Sequence, residues 1–243
     1  MIEIRSLYCS YNKKTVLKNI DIKIENHLNI LGVNGSGKST LAKAICRVIK
    51  YSGNILLEGK EITNLTLPQR AKEISYIPPK LEVYDKYISV DEFVLLGRFT
   101  HKQNFSGYSK EDIAIKERMI KLLKIEHLKK HSLFSLSSGE QQLVQIATAM
   151  TQQSKTIIFD EPTANLDPKN SKTIAQHIKE LKKHHNIILI THDLHLAKYL
   201  QNKVVFIKNK KLLHFRDNDS FFSEKNLSKL YNVEFDFMDV KYD

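Results

Sequence analysis

The chain has 243 residues, 42% of them hydrophobic and 27% charged, enough to bury a sizeable core and too apolar for a disordered chain. No window holds 18 apolar residues, and the opening MIEIRSLYCS lacks a long apolar run; this excludes a membrane span and a secretory leader and predicts a cytoplasmic protein. The formal net charge of +11 would suit an anionic partner, but it is spread thinly, with basic runs such as Lys129-Lys130-His131 near expected helix ends, so a solvated surface and no nucleic-acid partner are expected.

In chain order, IEIRSLYCSY and TVLKNIDIKI alternate apolar and polar residues with β-branched enrichment, which predicts antiparallel strands. LNIL (28–31) is a short apolar run leading into the glycine-rich GVNGSGKST (32–40), and STLAKAICRVI (39–49) has helical spacing. SGNILLEGKEI (52–62) reads as a hairpin around Glu58-Gly59, and ISYI (74–77) as a strand ended by Pro78-Pro79. From Val90 to about Lys130 the pattern is helical, and 85–140 is almost strand-free, which predicts a helical insertion. TIIFDEP (156–162) and NIILITHD (186–193) read as buried strands flanking the amphipathic helix SKTIAQHIKELKKH. VVFIKNKKLLHF is a hairpin turning near Asn209, and a small mixed tail follows. Strands alternating with helices predict a largely parallel α/β core in one domain, 1–84 with 141–243, into which 85–140 is inserted as a helical part. Cys9 and Cys46 are too few for a disulfide framework or a metal cluster and read as small buried hydrophobes.

Residues 32–39 fit GxxxxGK[ST] between a strand and a helix. Glycines let consecutive N–H groups curl around phosphate oxygens, and the helix N-terminus adds positive potential. Asn34, Gly35, Ser36, Gly37, Lys38, Ser39 and Thr40 are therefore the expected phosphate cradle, with Lys38 on the outer phosphates and the Ser39 hydroxyl on Mg²⁺. Such a loop fixes the ligand class and not the job. Asp160, at the end of an apolar strand, is placed to hold Mg²⁺ through water, and Glu161 after it can polarise an attacking water; two adjacent carboxylates with separate roles point to hydrolysis.

LSSGEQQ (136–142) stands about 20 residues before the Asp160 strand, and LSSGE resembles the LSGGQ signature of ATP-binding cassette (ABC) ATPases. A serine and glycines opening the helix QQLVQIATAM can make an anion site. The resemblance implies that Ser137, Ser138, Gly139 and Glu140 face the ATP held by a second subunit. ANLD (164–167) resembles the D-loop and would place Asp167 at the dimer seam, while ITHD (190–193) resembles the switch motif and would put His192 at the γ-phosphate and the attacking water. Tyr11 matches the A-loop position, where a ring could stack on adenine; His184, His185 and His195 read as structural. ISVDEFVLLGRF (88–99) and FFSEKNLSKLYNVEF (221–235) look like the ATPase subunits of importers for iron–siderophore, haem or cobalamin. The resemblance thus implies a P-loop NTPase fold of the ABC type, with a RecA-like parallel-sheet core, an N-terminal antiparallel β subdomain and an inserted α-helical subdomain. It also implies Mg²⁺-dependent ATP hydrolysis, a homodimer, two integral-membrane permease subunits, an indirect link to a substrate-binding protein, and a place on the inner face of the cell membrane.

The chain departs from the family pattern at Pro79, in YIPPKLEVYD, where the family usually has a glutamine touching Mg²⁺ and the attacking water. Proline has no side-chain oxygen and Lys80 is a cation, so neither replaces it as a metal ligand. Ser138 and Glu140 also depart from the signature. Two other readings stay open: a soluble ABC protein acting on ribosomes or DNA, which the charge could favour, and a dimerisation switch with little turnover. A P-loop small-molecule kinase would leave LSSGE, ANLD and ITHD unexplained.

Overall fold

The computed structural model of the chain describes residues 1–12, 14–82, 85–102 and 107–234. Of the stretches singled out above, Val83-Tyr84, positions 103–106, and Phe235 with the rest of the tail lie outside the described residues. β1 (Ile2–Tyr11) and β2 (Lys14–Ile24) form the expected antiparallel pair, Ile2 opposite Ile24 and Tyr11 opposite Lys14. Their alternation follows from burial on one face, and β4 (Ser52–Leu57) with the short β5 (Lys60–Glu61) completes a sheet in the order β2-β1-β4-β5, turning at Glu58-Gly59 as predicted.

β3 (Leu28–Leu31), β6 (Ile74–Ile77), β7 (Thr156–Asp160), β8 (Asn186–Thr191), β9 (Lys203–Lys208) and β10 (Lys211–His214) form a second sheet. Its order is β10-β9-β3-β8-β7-β6, parallel from β9 to β6 and antiparallel at β10. Every residue of β3 and β7 is buried, because a parallel sheet is covered on both faces, and this is why these strands read as unbroken apolar runs.

Alternate strand residues feed two cores. Ile158, Ile30, Ile188 and Ile190 pack with α1 (Lys38–Ile45) under the antiparallel sheet. Ile157, Phe159 and Leu189 pack on the other side with α3 (Val90–Leu95), α5 (Ser138–Gln152) and α6 (Pro168–Leu181). In the described part of the tail, Phe221, Leu227 and Leu230, on α8 (Asn218–Phe222) and α9 (Glu224–Tyr231), form a third cluster with Leu31, Val204 and Phe206.

Three elements differ from the sequence reading. α1 ends at Ile45 rather than running to 49, because Arg47 adopts a left-handed φ of 56° and the Arg47 and Val48 amides turn back to the Ala44 and Lys43 carbonyls, a Schellman closure made without glycine. α2 (Leu67–Glu73) and α7 (Leu194–Leu200) are additional helices. α2 carries a capping box between Thr66 and Gln69 with Pro68 in its first turn, a signal present in TLPQ; α7 is capped by Asp193, whose carboxylate accepts from the His195 and Leu196 amides.

The helical stretch contains α3, a 3₁₀ segment at Leu96–His101 and α4 (Lys110–Leu122), packed against α5. Arg98 and Asp112, both buried, pair at 2.7 Å, and Arg98 also donates to the Thr151 carbonyl at 3.2 Å and to Gln153 Oε1 at 2.8 Å, tying α4 to the end of α5. Burial pushes the Asp112 carboxyl up, but the hydrogen bonds from Arg98 and Ser109 together with the Arg98 charge outweigh it and hold its pKa at about 2. A pKa below the unfolded value of 3.8 contributes stability that is present above that value and is lost as the pH falls towards 2. Asp112→Asn is therefore expected to cost about 2 kcal/mol at neutral pH, shrinking between about pH 4 and pH 2, in urea unfolding read against pH. Equal stability of the two proteins at pH 7 would contradict this.

Candidate nucleotide site

The glycine-rich turn follows β3 directly, and close approach of neighbouring atoms explains Gly32 and Gly37. A Cβ on Gly32 would stand 2.6 Å from Ser36 Oγ and 2.9 Å from the Ile207 carbonyl oxygen. Gly37 has a φ of 106°, and a Cβ there would press on Leu17 at 2.9 Å. Gly37 caps α1 with no side-chain hydrogen bond, and no acidic residue stands in the first turn, so the leading N–H groups of α1 are left to an anion. Lys38 is 5% exposed; its Nζ donates to the Gly32 and Val33 carbonyls at 2.9 and 3.3 Å and lies 3.4 Å from Glu161 Oε1.

Asp160 ends β7 fully buried. Ser39 Oγ donates to its Oδ1 at 3.0 Å and Tyr76 OH to its Oδ2 at 2.8 Å. Burial raises the Asp160 pKa, with Glu161 adding to the rise and the Tyr76 and Ser39 hydrogen bonds opposing it. Ser39 and Asp160 thus converge as two hard oxygen donors. That set suits Mg²⁺, which keeps several waters and takes phosphate oxygens rather than requiring an all-protein cage.

Glu161 adopts a left-handed φ of 51°, uncommon for a side chain of this size, and its amide donates to the Ile190 carbonyl at 2.8 Å. The turn aims its carboxylate back at β8: Oε2 accepts from Thr191 Oγ1 at 3.2 Å and the His192 amide at 3.3 Å, and meets His192 Nδ1 at 2.8 Å. The His192 ring is half-exposed. Lys38, Ser39, Asp160, Glu161 and His192 therefore form one contiguous cluster at the C-terminal edge of the parallel sheet, beside the open N-terminus of α1. Tyr11, at the end of β1, is 44% exposed.

A second group lies on α5 and α6. Ser137 caps α5 in a box with Glu140, donating its hydroxyl to Glu140 Oε2 at 2.6 Å. Asp167 caps α6, its two oxygens accepting from the Asn170 amide and side chain at 2.9 and 2.7 Å. Gly139 packs so tightly on Asn170 that a Cβ would stand 2.9 Å from Asn170 Cγ. The signature glycine Gly139 and Asp167 thus meet at Asn170; among the described residues no hydrogen bond joins this group to the Lys38 cluster. Pro79 and Lys80 line a cleft of about 280 Å³ with Ser138, Gln142, Gln145 and Asn165.

Residues 17–164 match the ABC transporter family, a span containing the glycine loop, the LSSGE helix and the Asp160-Glu161 pair. The chain belongs to the ABC transporter ATP-binding proteins. The cassette is 32% identical to the probable iron chelatin transport ATP-binding protein of Helicobacter pylori over 96% of this chain and 93% of that protein. It is 27% identical to the petrobactin import ATP-binding protein of Bacillus anthracis, over 97% of this chain and 88% of that protein. A bacterial ABC transporter cassette solved as a dimer superimposes with a TM-score of 0.75 at 25% identity, covering 87% of this chain and 96% of that one. No helix of the cassette, among the described residues, is long and apolar enough to cross a membrane.

The cassette brings in three polar residues beyond those expected: Tyr76 on Asp160, Thr191 on Glu161 and Asn170 on Asp167. Thr191 stands inside ITHD, directly before His192, and position alone could have pointed to it. Tyr76 acts across elements and no local pattern marks it, whereas Asn170 lies three residues after the capping Asp167, within reach of a local capping pattern.

Proposed function

We propose that this cassette is the ATP-hydrolysing subunit of an importer for iron–siderophore, haem or cobalamin. It would work as a homodimer on two integral-membrane permease subunits at the inner face of the cell membrane and be served indirectly by a substrate-binding protein. The observation that carries the reading is the Lys38–Glu161–His192 cluster set beside Ser39 and Asp160. Tyr11 would stack on adenine, and Asn34, Gly35, Ser36, Gly37, Lys38, Ser39 and Thr40 would cradle the phosphates. Ser39, and Asp160 through water, would hold Mg²⁺, which when bound offsets phosphate charge. Lys38 supplies a fixed cation for the outer phosphates. Glu161, its Oε2 oriented by Thr191 and the His192 amide, takes the proton of the attacking water. His192 Nδ1 meets the same oxygen, and this contact would hold the ring toward the γ-phosphate and the attacking water. Ser137, Ser138, Gly139 and Glu140 would cover the partner subunit's ATP, with Asp167 at the seam. Residues 85–140 would form the helical part between site and permeases, and 1–84 with 141–243 the nucleotide-binding part.

The relatives named for iron chelatin transport and petrobactin import support the substrate class. Uptake of labelled iron–siderophore, haem and cobalamin by cells lacking the gene tests it. One uptake should be lost, restored by the wild-type chain and not by Glu161→Gln; three unchanged uptakes would contradict the import reading. Pro79 favours a second reading, a nucleotide-dependent dimerisation switch with little turnover, because the residue that usually touches metal and water is replaced by one with no side-chain oxygen.

A further inference from the structure

β6 lies beside β7 in parallel register, with Tyr76 opposite Ile158. Ile158 and Asp160 point to the same face of the sheet, two residues apart, so a long side chain at 76 reaches diagonally to the carboxylate at 160. Tyr76 does this with its hydroxyl, 2.8 Å from Asp160 Oδ2, while its ring packs with the core under the antiparallel sheet. The other oxygen, Oδ1, is the one turned to Ser39. Asp160 is fully buried, so a carboxylate oxygen without a donor would be costly there, and the phenol supplies that donor to the side facing away from Ser39. Three residues on, Pro79 has no polar side-chain atom and lines a separate cleft with Ser138 and Gln145.

We propose that Tyr76 is a positioning residue for the metal-holding carboxylate: by fixing Asp160 Oδ2 it turns Oδ1, beside Ser39, to the water through which Asp160 would hold the ion, giving β6 the polar tie to the metal site that Pro79 cannot make. The inference rests on the reading of Ser39 and Asp160 as the holders of the divalent ion. Phenylalanine keeps the ring and its packing and removes only the hydroxyl, so Tyr76→Phe isolates the contact.

The test uses the purified chain with ADP, so that no turnover intervenes, and Mn²⁺ as the probe, titrated by electron paramagnetic resonance. Tyr76→Phe is expected to weaken Mn²⁺ binding to the ADP complex about 10-fold, the size found when an outer-shell partner of a metal ligand is removed. ADP affinity in EDTA should stay within about 2-fold, since no phosphate contact is lost. In an Asp160→Asn background the same substitution should change Mn²⁺ binding by less than about 2-fold, because its effect runs through the carboxylate. Unchanged Mn²⁺ affinity in Tyr76→Phe, a matching loss of ADP affinity in EDTA, or an equal 10-fold loss in the Asp160→Asn background would overturn the proposal. A wild-type chain whose ADP complex gains no Mn²⁺ would instead overturn the metal assignment beneath it.

Discussion

Glu161→Gln is expected to hydrolyse ATP about 10²- to 10⁴-fold more slowly than the wild-type chain while still binding it, the range that a positioned general base contributes. The substitution is nearly isosteric. Its amide oxygen can still accept from the Thr191 hydroxyl and the His192 amide, so the left-handed turn at 161 and the local fold are kept. What the amide cannot do is take a proton from water, and it also withdraws the negative charge 3.4 Å from Lys38. With chemistry stopped and one anion fewer beside the phosphates, an ATP-bound dimer should accumulate. Steady-state turnover and the ATP-dependent shift in size-exclusion elution read the two effects separately, and full activity in the variant would remove Glu161 from the mechanism.

Lys38→Ala is expected to weaken ATP binding about 10- to 100-fold, corresponding to the roughly 1.5–3 kcal/mol of a hydrogen bond to a charged group. The lysine is nearly fully buried and already held by the Gly32 and Val33 carbonyls, so its cation sits in place before a phosphate arrives and little ordering cost opposes binding. Alanine removes that charge and leaves Glu161 without its cation, which adds repulsion toward an incoming anion. Lys60→Ala, on the exposed short strand β5, controls for the loss of one positive charge anywhere on a chain of net charge +11. An ATP titration showing equal affinity for Lys38→Ala and Lys60→Ala would contradict the phosphate-loop assignment.

Much of this arrangement is legible in the sequence where local rules suffice. The glycine loop between LNIL and the following helix, the unbroken apolar run TIIFD and the turns at Glu58-Gly59 and Asn209 all announce themselves through periodicity and turn chemistry. The end of α1 does not, because a Schellman closure on Arg47 uses a residue with no αL preference, and only the packing around the helix selects it. α7 is seven residues long, and its capping Asp193 falls within ITHD, where the motif draws the eye away from the helix start.

At the site, residue types were legible and their pairings were not. Ser39 and Asp160 are 121 residues apart and Tyr76 and Asp160 84, so those hydrogen bonds exist only once the parallel sheet orders β6, β7 and β3. Gly139 matched a signature glycine, but its need for space arises from Asn170 on another helix.

Whether two copies of this chain join to hydrolyse ATP is read from the Mg²⁺-dependent hydrolysis rate of the purified protein as a function of its own concentration, with Glu161→Gln as the control. The expected result for a catalytic dimer is a rate per chain that climbs with concentration and vanishes in the variant. A rate per chain independent of concentration, or bound ATP with no turnover at any concentration, would contradict it.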